Sequence, residues 1–205
     1  GTSIWMFFEK FIRKAAGMGK NSRLPDPDSY EHANDFCDIL IVGSGPSGIA
    51  AAKEAADKKL DVILVEQDNL LGGDQLSENN FDTESVYNEL RSLGIRVMRR
   101  TTAFGLYDNC VLGLVERLTD HIPPSSRNEL PRQRFWIVRA KHIIVGSGSL
   151  ERHIAFNNND IPGSMTVNAS KHYLNRYGVL TGKKIVIATN NDSVYLTAEI
   201  LSNAG

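Results

Sequence analysis

Phe36-Cys37-Asp38-Ile39-Leu40-Ile41-Val42-Gly43-Ser44-Gly45-Pro46-Ser47-Gly48 is the stretch on which the fold of this chain turns. Its first half is a nearly unbroken apolar run, the pattern of a strand buried on both faces. Its second half is Gly-x-Gly-x-x-Gly. The Ala-rich stretch Ile49–Lys59 that follows reads as a helix, and Leu60–Val65 as a second buried strand. Strand, glycine turn, helix and strand predict a parallel pair with a right-handed crossover. Glu66 stands at the end of that second strand, 18 residues after Gly48. The glycine pattern alone is weak, but between a strand and a helix, with an acidic residue so placed, it is a dinucleotide fingerprint.

Each residue of the fingerprint has a physical task. Gly43 permits the tight turn from strand to helix. Gly45 lets backbone approach a pyrophosphate without a Cβ in the way, and Gly48 lets the helix pack close to the sheet. The start of the helix offers the positive end of the dipole and, apart from Pro46, which has no N–H, the unpaired amides of its first turn to phosphates. Glu66 can accept hydrogen bonds from ribose hydroxyls. Gln67 and Asp68 follow it with no arginine beside them, so a 2′-phosphate would meet a carboxylate and NADP is disfavoured. Leu70-Leu71-Gly72-Gly73 then lets the chain bend over the ligand. Ile143-Ile144-Val145-Gly146-Ser147-Gly148 ends another core strand at the carboxyl edge of the sheet, where it either approaches the pyrophosphate or merely reverses the chain.

Outward from this unit the order is βαβ, helix, strand, meander, strand. Asp82–Leu93 has helical spacing and stops at Gly94, and Ile95–Met98 is a short strand. Thr101–Tyr107, Val111–Arg117 and Arg134–Lys141 read as antiparallel strands, with a proline-containing loop over 119–131. His142–Val145 returns as a core strand. Residues 153–164 read as a crossover loop and Ala169–Tyr177 as a helix. Lys184–Ala188 reads as a further buried strand and Ser193–Leu201 as a helix. The turn between these last two, Ala188–Ser193, has no glycine where a second fingerprint would need one. The fold expected is α/β: a Rossmann-like, three-layer dinucleotide-binding domain of the glutathione/thioredoxin-reductase type with an antiparallel meander, plus the start of a second βα domain. The expected divisions are 1–35 as helix and linker, 36–164 as the dinucleotide domain and 165–205 as the second unit. One strand and one helix cannot close a domain, so the chain reads as a piece of a longer protein. It starts with Gly1 rather than Met, which hints at processing, a cloning scar or a fragment.

Residues 1–20 place Ile4, Phe7, Phe8, Phe11 and Ile12 on one helical face and Lys10, Arg13 and Lys14 largely on another, ended by Gly17 and Gly19. This predicts a helix docked on the body or on a neighbour, with a membrane-surface helix as the lesser reading. Residues 21–35, with Pro25 and Pro27, read as loop. A net charge of −1 calls for neither nucleic acid nor an anionic membrane. No apolar run nears the ~20 residues that a spanning helix needs. Cys37 and Cys110, without CxxC spacing, read as small buried side chains in a reducing cytoplasm. His32, His121, His142, His153 and His172 show no metal-ligand spacing and read as structural or surface residues. No metal site and no catalytic acid, base or nucleophile is legible.

Beyond the fingerprint, several stretches resemble the α subunit of heterotetrameric sarcosine oxidases: Arg13–Gly19 before a DPD-containing linker, Arg100–Gly105, Leu112–Arg117, Tyr173–Leu180 and Thr189–Ser193. They run across nearly the whole chain, and no general rule of nucleotide binding demands them. The resemblance implies a complex with β, γ and δ subunits. That complex oxidises sarcosine to glycine at an FAD on β and passes electrons through an FMN at the α/β boundary to oxygen, making hydrogen peroxide. A folate domain of α captures the one-carbon unit. It implies NAD in the α subunit's first dinucleotide site, held by Gly43–Gly48, by Val65, Glu66 and Gln67, by Gly73 or Asp74, and by the backbone of Ala103 at the adenine. The chain departs from the family in extent, since the small amino-terminal domain, most of the second dinucleotide-like domain and the folate domain are missing. Two other readings stay open: an FAD-binding subunit of a related amine or imino-acid dehydrogenase, and a non-catalytic scaffold with a vestigial site.

Overall fold

The structure is a computed structural model that describes residues 3–19, 23–78, 81–127 and 130–205. Its centre is a six-stranded sheet in the order β3-β2-β1-β6-β5-β4. The strands are β1 (Tyr30–Val42), β2 (Val62–Val65), β3 (Arg96–Met98), β4 (Thr101–Tyr107), β5 (Val111–Arg117) and β6 (Gln133–Val145). β1, β2, β3 and β6 run parallel, and β4, β5 and β6 pair antiparallel. Helix α2 (Pro46–Asp57) forms the crossover from β1 to β2, and α3 (Thr83–Ser92) that from β2 to β3.

The alternation of side chains along β2 explains the layers. Val62 and Leu64 face α2 and α3, where Ile49, Ala52, Ala55 and Leu90 cover them. Ile63 and Val65 face the other way and share a core with Leu112 and Leu114 of β5. The meander thus curls over the face that the helices leave open, and all four β2 residues are buried. The result is the expected three-layer α/β arrangement. Truncating a fully buried leucine such as Leu64 to alanine would cost about 2–5 kcal/mol. Helix α3 is capped by Asp82, whose carboxylate accepts from the Glu84 and Ser85 amides. Its stop is Gly94 at φ +81°, a conformation that favours glycine.

Four expectations need correction. β1 begins at Tyr30, inside the segment read as loop, because Tyr30–Val42 pairs along its length with β6. Asp28, just before it, is gripped by Arg127 at 2.7 Å and Arg132 at 2.8 Å. Tertiary pairing has overridden local turn propensity there. Next, the segments read as two strands, Arg134–Lys141 and His142–Val145, are the single strand β6, which pairs antiparallel with β5 and parallel with β1. Lys184–Ala188 forms no strand: Val186 is 95% exposed. An isolated extended segment has no ladder to satisfy its amides, and neither sheet edge pairs with it.

The fourth correction concerns α1 (Ser3–Ala15), a helix as expected. Of the two dockings expected, that on the body is not made, since Trp5, Phe7 and Phe11 stay more than half exposed, and docking on a neighbour is the alternative that stands. Among the described aromatic rings, Phe7 packs against its helical neighbours Phe8 and Phe11. After the sheet come α4 (Val167–Tyr177) and α5 (Tyr195–Asn203), packed on one another. No helix among the described residues is long and apolar enough to cross a membrane.

Candidate functional site

At the carboxyl edge of the parallel strands the three fingerprint glycines meet different surroundings. Gly43 sits at φ +97°, and a Cβ there would lie 2.4 Å from the Gly146 carbonyl oxygen. A Cβ on Gly48 would lie 1.9 Å from the Gly43 carbonyl oxygen. Both glycines are therefore demanded by packing of turn, helix and sheet. Gly45 differs: a Cβ there would meet nothing within 4 Å. The open space lies where the fingerprint wants a pyrophosphate. Gly45 is also the N-cap of α2, with Pro46 in the first turn and no side chain capping the helix. The first-turn amides lack a side-chain acceptor, and Pro46 and Ser47 are exposed.

Glu66 is 8% exposed and works inside the protein. Its Oε2 accepts from the Ser44 amide at 3.0 Å and the Ser44 hydroxyl at 2.6 Å, and its Oε1 from the Asp68 amide at 2.8 Å. A carboxylate has about four acceptor positions, so room remains for one hydroxyl of a ribose. Ser44 is fully buried and belongs to this brace, not to a ligand surface. The sequence placed Ser44 among the residues of the turn that hold the cofactor and gave no sign of this brace. Val65 is buried in the core, and its carbonyl accepts from the Gly43 amide at 2.8 Å. Its side chain is therefore unavailable to a ligand. Gly146 donates to the Val42 carbonyl and lies against the first turn of α2, where a Cβ would come 3.4 Å from Ser47 Oγ. Gly146 thus packs behind the glycine turn.

A cleft of about 530 Å³ opens beside this turn. Glu66, Gln67, Asp68, Gly73 and Asp74 form one wall, and residues from Ser149–Glu151 and α4 form the other. That volume suits a cofactor-sized ligand. Ala103 is not among the lining residues. It pairs with Leu114 in the meander, two residues after Thr101, whose amide donates to the Glu66 carbonyl.

The far wall was not legible in the sequence. α4 is capped by Thr166, and the Glu151 carboxylate accepts from the Val167 and Asn168 amides. Arg176 pairs with the Asp68 carboxylate, and His172 Nε2 lies 3.5 Å from Asp74 Oδ1. His172, read as structural or surface, therefore faces the cleft. Arg117 donates to the carbonyls of Gln67 and Arg100. The loop after β2 thus has the guanidinium groups of Arg117, Arg176 and Arg99 near it, which corrects the expectation of no cation there. Arg176 is held by the Asp68 carboxylate, however, and Arg117 does not line the cleft. Burial pushes the Asp68 carboxyl up, but the Arg176 guanidinium and the Asn69 and Leu70 amides outweigh it and hold the group below its ordinary value. Burial also pushes the Cys37 thiol up to about 11, so it sits in the core as a neutral apolar group.

The turn Ala188–Ser193 satisfies itself instead of a ligand: Asn191 Oδ1 accepts from the Ser193 amide, and Thr189 Oγ1 donates to the Asn191 carbonyl. Among the described residues, no three His, Cys, Asp or Glu side chains cluster as a metal site would need.

The sarcosine oxidase subunit alpha of Rhizobium meliloti (strain 1021) is 42% identical over 98% of this chain, and that of Corynebacterium sp. (strain U-96) is 36% identical over 93%. The chain spans 21% of the length of each. The solved structure of L-proline dehydrogenase from P. horikoshii has the same fold, with a TM-score of 0.54 at 23% identity over 80% of this chain and 33% of that one. The family model described as FAD dependent oxidoreductase matches residues 38–172, from the last third of β1 through the glycine turn and the meander into α4. With most of its length inside that match, the chain belongs to the FAD dependent oxidoreductase family.

Proposed function

We propose that this chain is the dinucleotide-binding part of the α subunit of a sarcosine oxidase complex. In this reading NAD lies with its ADP moiety across Gly43–Gly48 and its adenosine ribose on Glu66. One observation carries the proposal: of three glycines in one turn, two are closed by packing and the third, Gly45, is open where phosphates would pass. Residues 36–164 would form the cofactor domain, with 165–205 beginning a second unit that covers its mouth. Gln67, Gly73 and Asp74 would border the ligand, and Ala103 would offer backbone to the adenine. The relatives' name supports an oxidoreductase acting on CH–NH donors as one subunit of a larger complex. In this reading β, γ and δ subunits are its partners and the complex is cytoplasmic.

A second reading puts FAD in the same site, and the family model favours it. When bound, NAD would supply a nicotinamide for hydride transfer and FAD an isoalloxazine. What this chain's own residues do is common to both: Glu66 orients the ribose, and the start of α2 offsets the phosphate charge. Mass spectrometry of the small molecule released by denaturing the native protein tests the proposal, and NAD is the expected result. A flavin mass with yellow protein would replace NAD by FAD. A chain that binds no adenine dinucleotide would leave a scaffold with a vestigial site.

A further inference from the structure

The pair formed by Asp68 and Arg176 joins the end of β2 to α4 across the cleft that Glu66 also lines. Both side chains are partly exposed, so a ligand in the cleft can reach them. Asp68 is anchored on its own side: its Oδ1 accepts from the Asn69 amide at 2.7 Å, its backbone amide donates to Glu66, and its carbonyl accepts from Arg100. Arg176 is thus held by a rigid partner two residues beyond the carboxylate read as the ribose acceptor.

The remaining charges of the cleft point the same way. Carboxylates of Glu66, Asp68, Asp74 and Glu151 line it, against the single guanidinium of Arg176 and the imidazole of His172. That surplus repels an added dianion, and the one permanent cation is already neutralised. Discrimination between ligands is as often built from such repulsion as from attraction.

We propose that Asp68 is a specificity-determining residue that makes the site reject adenosine carrying a 2′-phosphate. It does so by holding Arg176, which would otherwise form the charge-assisted hydrogen bonds that a phosphate seeks. This deepens the reading of the site as an ADP cradle and rests on it. The ligand class accepted is an adenine dinucleotide with a free 2′-hydroxyl.

The test titrates ADP and 2′-phospho-ADP calorimetrically into the full chain, native and with Asp68→Asn, a near-isosteric change at a partly exposed position. The native protein should prefer ADP by about a hundredfold or more, within the several kcal/mol that unfavourable like-charge contacts cost. Asp68→Asn should narrow that preference at least tenfold, about 1.4 kcal/mol, chiefly by tightening 2′-phospho-ADP. Adding Arg176→Gln should cancel the gain, whereas adding Arg117→Gln should not. Arg176→Gln alone should keep or sharpen the native preference, so the inference stays testable should Asp68→Asn fold poorly. ADP binding with a preference unmoved by Asp68→Asn, or a gain that vanishes with Arg117 instead of Arg176, overturns the inference and leaves the ADP cradle standing. No ADP binding by the native chain overturns the cradle itself, and this inference with it.

Discussion

One methyl group added at either of two glycines three residues apart should separate folding from binding. In Gly48→Ala the new carbon would lie 1.9 Å from the Gly43 carbonyl oxygen, where ordinary contact begins at 3.4 Å. The turn and α2 must part by about 1.5 Å, the difference between those distances. The turn has nowhere to retreat, because Gly43 already abuts the Gly146 carbonyl. Overpacking of this kind costs about 1–3 kcal/mol, which for a chain of this length lowers Tm by roughly 2–12 °C. In Gly45→Ala the methyl meets no protein atom, and φ −67° with ψ −179° is extended backbone that any residue adopts. Alanine is a poorer N-cap than glycine, but it reduces the entropy of the unfolded chain, and the two effects of under about 1 kcal/mol oppose each other. Tm should therefore stay within about 3 °C of native. ADP affinity should nevertheless fall at least about tenfold, because the methyl stands where the pyrophosphate must approach. Thermal melts followed by circular dichroism and calorimetric titration with ADP read the two effects separately. Native-like ADP binding by Gly45→Ala would refute the reasoning about the ligand. A native Tm for Gly48→Ala would refute the reasoning about the packing.

Three further outcomes are expected. Glu66→Gln should destabilise the chain by about 1–3 kcal/mol and weaken ADP binding, because an amide cannot accept all three N–H and O–H groups that now face the carboxylate; unchanged melts would show that the brace is dispensable. The lowered pKa of Asp68 means that the folded state binds fewer protons than the unfolded state near pH 4. Its contribution is present above the ordinary carboxylate pKa of about 3.9 and is lost as pH falls through the folded value. Urea melts at pH 7 and pH 3 should show a smaller acid loss in Asp68→Asn than in the native chain, though a modest one, since the pair is partly exposed and screened; equal losses would mean that the pair adds nothing. Val186→Ser should change stability by less than about 0.5 kcal/mol, as surface substitutions do, whereas a loss of several kcal/mol would restore the buried strand expected from sequence.

The parallel unit and the meander were legible because their signals are local. Apolar runs of strand length, a glycine turn and an alanine-rich helix admit few arrangements, and β4 and β5 occupy the spans that alternation predicts. What escaped depends on partners far along the chain. Tyr30–Asp35 has the composition of a linker and becomes strand only because Gln133–Val138 lies beside it. Lys184–Ala188 has the composition of a core strand and lacks a neighbour to pair with. At the candidate site, the turn and Glu66 follow from spacing. The brace from Ser44, the pair between Asp68 and Arg176, and His172 opposite Asp74 do not, because separations from 22 to 108 residues carry no periodic signal.

β6 is shared between two ladders along much of its length, and its last residues lead directly into Gly146 behind the glycine turn. A load applied to the outer hairpin is therefore delivered to the end of the molecule that bears the glycine turn through one stiff member. The exposed hairpin side chains Leu106 and Tyr107 stand opposite Leu112 and Val111 of β5, which stand opposite Val138 and Arg139 of β6, so a contact made on them by another molecule is two ladders and about seven residues of strand from the glycine turn.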